Sequence, residues 1–224
     1  MTPMHLPRPI KAVVFDMDGL LVDTENVVFE AMKAAVGGLG LEMPFDLFKR
    51  LVGLPAGASD LIVIEHFGED FDLTLWRSEV RRHFLDIAAA GVALKAGVVE
   101  LLDALDAHTL PRAIATSSTR DAVEHSLGQH GLIERFDAIV SRELQTHHKP
   151  HPEPFLKAAQ ALAIDPADCL ALEDSHNGVR AAAAAGMMTV MVPDLLDATE
   201  EMHALCVRIA RDLHEVREMI EGRG

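Results

Sequence analysis

Six short stretches of the chain are almost continuously apolar: 12-AVVFD-16, 112-RAIAT-116, 138-AIV-140, 169-CLALE-173, 189-TVMV-192 and 206-CVRIA-210. A strand with one wet face alternates apolar and polar residues, whereas a strand covered on both faces reads as an unbroken apolar run. Segments with helical spacing separate these runs. The pattern therefore predicts an α/β fold: a doubly wound parallel sheet wrapped by helices, in the Rossmann-like manner.

Between Thr24 and about residue 90 the pattern changes. No strand-like run occurs there. Trp76, Val80, Phe84 and Ile87 recur at helical spacing, and Ser59 offers an N-cap. The spacing predicts an all-helical inserted domain over residues 25–90, with residues 1–24 and 91–224 forming the catalytic core. Gly91 and Gly97 flank the return, 98-VVELLDALDA-107 reads as an amphipathic core helix, and Pro111 closes it. The alanine run at 181–185 predicts a helix packed closely against the sheet.

Composition narrows the function classes. A chain of 224 residues can bury a core domain and a smaller insert. Lys and Arg total 20 against 35 Asp and Glu, and the formal net charge of -15 disfavours nucleic acid or anionic membrane as partners. A bound phosphate must then be held by local positive charge: a lysine, helix N-termini or a metal. The stretch 1-MTPMHLPRPIKAVVFD-16 has no continuous apolar run of signal-peptide length, and the alanine run is too short to span a bilayer, so the chain reads as cytoplasmic. Cys169 and Cys206 lie far apart inside apolar runs, which leaves no CxxC pair or cysteine zinc site and predicts buried, reduced thiols.

The chemistry begins at 13-VVFDMDGLLVDT-24, where Asp16 and Asp18 end an apolar strand one residue apart, ahead of Gly19. Two carboxylates this close repel each other, and an apolar strand end is a costly place for both to ionise without a cation between them. In a doubly wound sheet, ligands bind beyond the carboxyl ends of the strands, so residues distant in sequence converge there. Four such ends are chemically loaded: Asp16 and Asp18, then 116-TSS-118, then Lys149, then Glu173 and Asp174. Each alone has an ordinary reading. The aspartates are turn formers, Thr116 and Ser117 an N-cap for a helix beginning near Arg120, Lys149 a solvated lysine, and Asp174 or Ser175 a helix cap. Their joint occurrence at successive strand ends is what points to a site.

The pieces 16-DMDGLLVDT-24, 114-IATSS-118, 149-KPHPEPF-155 and 172-LEDSHNGVRAAAAAGM-187 resemble, in order and placement, the haloacid dehalogenase superfamily. The resemblance is to its phosphatase and phosphomutase branch, with a helical cap after the first strand. It implies that Asp16 is a nucleophile taking the phosphoryl group as an aspartyl phosphate, and that Asp18 is the general acid and base. It implies Mg²⁺ held by Asp16, Asp174 and the Asp18 backbone carbonyl, with Glu173 supporting its water shell. Hard oxygen ligands without His or Cys suit Mg²⁺ independently of any resemblance. Thr116 and the amides of Met17 and Ser117 would bind phosphoryl oxygens while Lys149 balances the remaining charge.

The implied activity is hydrolysis of a phosphate monoester of a small metabolite, a phosphorylated sugar. Phosphomutases of this branch carry a cap His and Arg whose places fall here at Val28 and Ala56, which favours hydrolysis over mutation. Asp18 separates the chain from true dehalogenases, and His148 stands before Lys149 where relatives commonly have Gly. His147, His148 and His151 cluster around that lysine without the i, i+4 pairing of a zinc protease. In the cap, Lys49, Arg50 and Gly53 of 49-KRLVGLP-55 are candidates for substrate selection, read otherwise as solvated helix charges and a turn. A two-component receiver also combines acids, Thr and Lys with Mg²⁺, but it has an adjacent acid pair after its first strand and its acceptor Asp after its third, unlike this order.

Overall fold

The computed structural model describes residues 6–54 and 56–222; Pro55 and the first five residues lie outside the described residues, and Ala56 is described by its backbone alone. The chain divides into two compact units, one running to Asp23 and resuming at Ala93, the other Thr24–Val92.

The first unit opens with β1 (Ala12–Phe15), whose four residues are all buried. The second unit follows and is wholly helical: α1 (Thr24–Gly37), α2 (Phe45–Leu51), α3 (Ala56–Phe67) and α4 (Leu73–Ala90). Its interior gathers Val36, Leu47, Val63 and Trp76, with Val80 packed alongside. Ser59 lies inside α3 and so is not an N-cap; the side chain that caps a helix here is Asp72, which accepts from the Leu75 amide at the start of α4. An Asp beside the first free amides of an 18-residue helix satisfies a donor and favours the positive end of its dipole.

The first unit resumes with α5 (Val98–Ala107), β2 (Arg112–Ala115), α6 (Arg120–Gly128), β3 (Ala138–Val140), α7 (Glu153–Leu162), β4 (Cys169–Glu173), α8 (His176–Ala184), β5 (Met188–Met191), α9 (Glu200–Leu205), β6 (Arg208–Ile209) and α10 (Leu213–Glu221). The strands form one six-stranded sheet in the order β3-β2-β1-β4-β5-β6, and every neighbouring pair is parallel. This is the doubly wound α/β architecture the apolar runs predict. β6 is shorter than its run: Cys206 ends α9, and only Arg208 and Ile209 pair with β5. At a half-buried sheet edge an apolar run gains little from further pairing.

Small residues set the packing on one face. Ala158 and Ala159 of α7 and Ala181 and Ala182 of α8 meet Val14, Ala113 and Ala171 of the sheet, all fully buried, with Phe155 as the large side chain among them. Alanine lets a helix backbone approach the strands closely, so the alanine-rich α8 is a packing surface. Both cysteines are free thiols, and burial pushes each up to about 11. Among the described residues no helix is long and apolar enough to cross a membrane.

Phe155→Ala should lower unfolding free energy by about 3–5 kcal/mol, the usual cost of deleting a buried aromatic ring that its surroundings cannot replace. Urea unfolding with an unchanged m-value checks it; a loss below about 1 kcal/mol would mean that α7 does not anchor the sheet as its burial implies.

Candidate active site

The chain builds β1, β2 and β3 outward in one direction and β4, β5 and β6 in the other, so its direction reverses between β1 and β4. Loops leaving neighbouring strands on opposite sides open a crevice at their carboxyl ends. Register places Phe15 beside Leu172, and the Asp16 amide donates to the Leu172 carbonyl at 3.0 Å. Asp16 therefore stands next to Glu173.

Lys149 joins them. Its ammonium donates to Asp16 Oδ1 at 2.5 Å and to Glu173 Oε1 at 2.6 Å, and all three side chains are more than nine-tenths buried. The Phe155 ring lies beneath the ammonium, 5.0 Å from its centroid. Burial works against the Lys149 charge, but the Asp16 and Glu173 carboxylates outweigh it and hold the group above the ordinary lysine value. Burial pushes the Asp16 carboxyl well above the usual carboxylate range; Lys149 opposes this, while Glu173 and Asp18 add to it. The pocket thus carries more acid than its one lysine can balance.

Glu173 is fully buried and saturated. Its second oxygen accepts from the Asp174 and Ser175 amides, both at 3.1 Å, and from the Ser175 hydroxyl at 3.0 Å. Ser175 in turn caps α8 by accepting from the Gly178 amide at 3.1 Å. The carboxylate lies so close over the first turn of α8 that a methyl group on Gly178 would overlap it. Carboxylate oxygens of Asp16, Glu173 and Asp174 lie within 4.8 Å of one another. The opening is kept by Gly19, whose φ of +80° suits glycine and where a Cβ would run into Asp174. An all-oxygen, carboxylate-rich donor set with surplus negative charge fits Mg²⁺.

On the other side, Asp18 accepts from the Thr116 hydroxyl at 3.2 Å and the Ser118 hydroxyl at 2.7 Å. Thr116 is fully buried and its oxygen also takes the Ser118 amide at 3.0 Å. Leu20, Leu21 and Val22 all donate to the Met17 carbonyl, which curls the chain after Asp18. The Met17 and Ser117 amides meet no acceptor among the described residues, so they are available donors on the same rim. Asp16, Asp18, Thr116, Lys149, Glu173 and Asp174, drawn from four strand ends, are thus brought together. Arg50 and Gly53 belong to the helical unit: Arg50 pairs with Glu65 at 2.7 Å on an exposed surface, and Gly53 turns the chain after α2 with a φ of +73°.

Several supporting residues carry no signal that the sequence reading used. Ser118 ends the stretch 116-TSS-118, yet its contact with Asp18 depends on how the loop after β2 turns. Gln145 donates from its amide nitrogen to the carbonyls of Thr116 (2.6 Å), Val140 (3.2 Å) and Ser141 (3.2 Å), tying the loops after β2 and β3 together. Lys95 pairs with Asp194 at 2.7 Å and Asp23 at 3.6 Å, fastening the far end of the Asp16–Asp23 loop. His147 and His151 lie with ring centroids 4.5 Å apart, tilted 40° to one another, and His148 turns to Gln145; among the described residues the three gather no metal-binding group.

The family description "Haloacid dehalogenase-like hydrolase" matches residues 13–192. A Drosophila melanogaster protein named "Probable pseudouridine-5'-phosphatase" is 36% identical over 193 residues, covering 84% of this chain and 83% of that protein. The "Fructose-1-phosphate phosphatase YqaB" of Escherichia coli K12 is 32% identical over 183 residues, 80% of this chain and 95% of that protein. Among solved structures, a hydrolase of Deinococcus radiodurans R1 with bound phosphate and sodium superposes with a TM-score of 0.82 at 28% identity, covering 96% of each chain.

The loop carrying Lys149 is held by Glu153, which accepts from the Thr146 amide at 2.7 Å and the His147 amide at 2.9 Å and pairs with Lys157 at 2.6 Å. Lys157 foremost, then these amides, hold the Glu153 carboxyl at about 2, below its ordinary 4.5. Because the folded value is depressed, the stabilisation is complete above about pH 4.5 and is lost as pH falls towards about 2. The Tm gap between wild type and Glu153→Gln should therefore be constant at neutral pH and close on acidification through that window. A gap that persists at pH 2 would overturn the assignment.

Proposed function

Since the chain belongs to the haloacid dehalogenase-like hydrolase family, we propose that it hydrolyses the phosphate monoester of a small metabolite through an aspartyl phosphate on Asp16. The observation that carries this reading is the buried Asp16–Lys149–Glu173 bridge, with Asp174 beside it and Asp18 poised on two hydroxyls. Asp16 attacks phosphorus with the oxygen that does not carry Lys149. Lys149 opposes the cost that burial puts on ionising that carboxylate and orients it, and meets the equatorial phosphoryl oxygens with Thr116 and the Met17 and Ser117 amides. Asp18 acts as the general acid that gives a proton to the leaving oxygen. It then takes one from the water that hydrolyses the intermediate, while the Ser118 hydroxyl keeps it in place once Thr116 turns to the phosphate.

Asp16, Asp174 and the Asp18 carbonyl would hold Mg²⁺, whose charge would offset the repulsion between the anionic nucleophile and an anionic phosphate. Glu173, committed to Lys149 and the α8 amides, serves as the scaffold of this set. The names carried by the relatives, for pseudouridine 5'-phosphate and fructose 1-phosphate, support a phosphorylated sugar or sugar derivative as substrate. Val28 offers no proton donor where the phosphomutases of the branch carry His, which supports hydrolysis over phosphoryl transfer back to sugar. Arg50 and the Gly53 turn are the residues we assign to substrate selection.

Phosphate release from a panel of sugar phosphates and nucleotides, with Mg²⁺ and with EDTA, tests the proposal. Asp16→Asn should lower kcat at least about 10³-fold, as removal of a nucleophile does. Asp18→Asn should lower it by about 10² to 10⁴ with little change in KM. Activity in Asp16→Asn equal to wild type, or indifference to EDTA, would sink the mechanism.

A further inference from the structure

The loop after β2 carries two of the groups assigned to the phosphate, Thr116 and the Ser117 amide, and a backbone amide in a loop has to be aimed. β2 lies between β3 and β1 in the sheet. At its end the Thr116 amide donates to the Val140 carbonyl of β3 at 3.1 Å, so the backbone of Thr116 faces β3. Were the parallel ladder to continue, the Arg142 amide would return a bond to the Thr116 carbonyl. That bond does not form. β3 stops at Val140 and the chain turns through Arg142–Leu144, which sends the Arg142 amide to the Ser118 carbonyl at 2.9 Å instead.

The Gln145 side chain takes the missing place. Its amide nitrogen lies 2.6 Å from the Thr116 carbonyl and 3.2 Å from those of Val140 and Ser141. Three carbonyl oxygens around one atom identify it as the NH2 group, which leaves Oε1 to accept from His148 Nδ1 at 3.2 Å. Val140 and Ser141 have other donors, the Thr116 and Leu144 amides, each at 3.1 Å; the Thr116 carbonyl receives no other among the described residues. A trans peptide is planar, with its C=O and N–H on opposite edges. Holding the Thr116 carbonyl towards β3 therefore turns the Ser117 N–H towards β1, whose end carries Asp16. Arg142 acts in the same sense, donating from Nε to the Ser117 carbonyl at 2.9 Å.

We propose that Gln145 is a positioning residue of the phosphate site: it fixes the Thr116–Ser117 peptide plane so that the Ser117 N–H meets the phosphoryl group. The inference rests on the catalytic reading above and deepens it, since nothing in that reading calls for a side chain at 145. Without this donor the Thr116 carbonyl is left bare and gains by turning towards another one, which carries the Ser117 amide out of line.

The test uses the full chain, ¹⁵N-labelled and with Mg²⁺, titrated with inorganic phosphate while NMR follows the Met17 and Ser117 amides. In wild type, phosphate should shift both amides saturably. In Gln145→Met, of similar length but without a donor, the Met17 shift should remain, the Ser117 shift should be lost, and phosphate should bind about fivefold more weakly, the worth of one modest hydrogen bond. Gln145→Lys offers three donors to the three carbonyls but no acceptor to His148, and should restore the Ser117 shift. Should Gln145→Met not fold, Gln145→Glu, which keeps the shape and the acceptor while removing the donor, is read in the same way. An unchanged Ser117 shift in the donor-free variant, or no Ser117 shift in Gln145→Lys, would overturn the proposal. Loss of the Met17 and Ser117 shifts together would also overturn it, by making Gln145 a general support of the site. A wild type in which phosphate moves neither amide would bring down the catalytic reading and this inference with it, so the two failures are told apart.

Discussion

One buried ammonium governs the core of this phosphatase. Lys149 is held between Asp16 at the end of β1 and Glu173 at the end of β4, and none of the three is accessible enough for water to share the load. A buried ion pair is tolerable only when its remaining hydrogen-bonding capacity is met. The structure meets it on the acid side with the Asp174 and Ser175 amides and the Ser175 hydroxyl. Removing any of these partners would leave an uncompensated charge in an apolar setting, so the bridge and the start of α8 form one electrostatic unit.

The surrounding glycines and loops follow from that unit. Gly178 is bare because the Glu173 carboxylate occupies the space a side chain would need, and Gly19 is bare because Asp174 does. Lys149 reaches the bridge from a loop rather than a strand, and a loop needs fixing. Glu153 takes two of its amides, and Gln145 binds three carbonyls across the turns after β2 and β3. Two buried carboxylates on one lysine, with Asp174 beside them, leave the pocket with unbalanced negative charge, which is the physical basis for expecting a divalent cation among these oxygens.

The helical unit obeys different rules. Its interior is aliphatic and aromatic, with Phe29, Phe48 and Trp76 among its large side chains, and its charges are paired on the surface as in Arg50–Glu65 and Arg82–Glu79. A buried charged site needs a scaffold in which every partner is placed, while an aliphatic and aromatic interior needs only complementary shape.

What the sequence determined by itself was the fold and which residues gather at the strand ends as the candidate site. Short unbroken apolar runs between helical segments read as strands covered on both faces, and a doubly wound sheet sends their carboxyl ends to one edge, so Asp16, Asp18, Thr116, Lys149, Glu173 and Asp174 could be grouped from their positions after those runs. Tertiary structure decided the partners. That Glu173 is spent on Lys149 and α8, that Ser118 joins Thr116 on Asp18, that Gln145 and Glu153 hold the lysine loop, and that Asp72 rather than Ser59 caps a helix all depend on distances between residues far apart in the chain or on where a turn ends. The unpartnered indole of Trp76 is the clearest case. Its helical spacing marks it as core, but whether a buried N–H finds an acceptor is settled only when the neighbouring helices pack, and no local pattern encodes that.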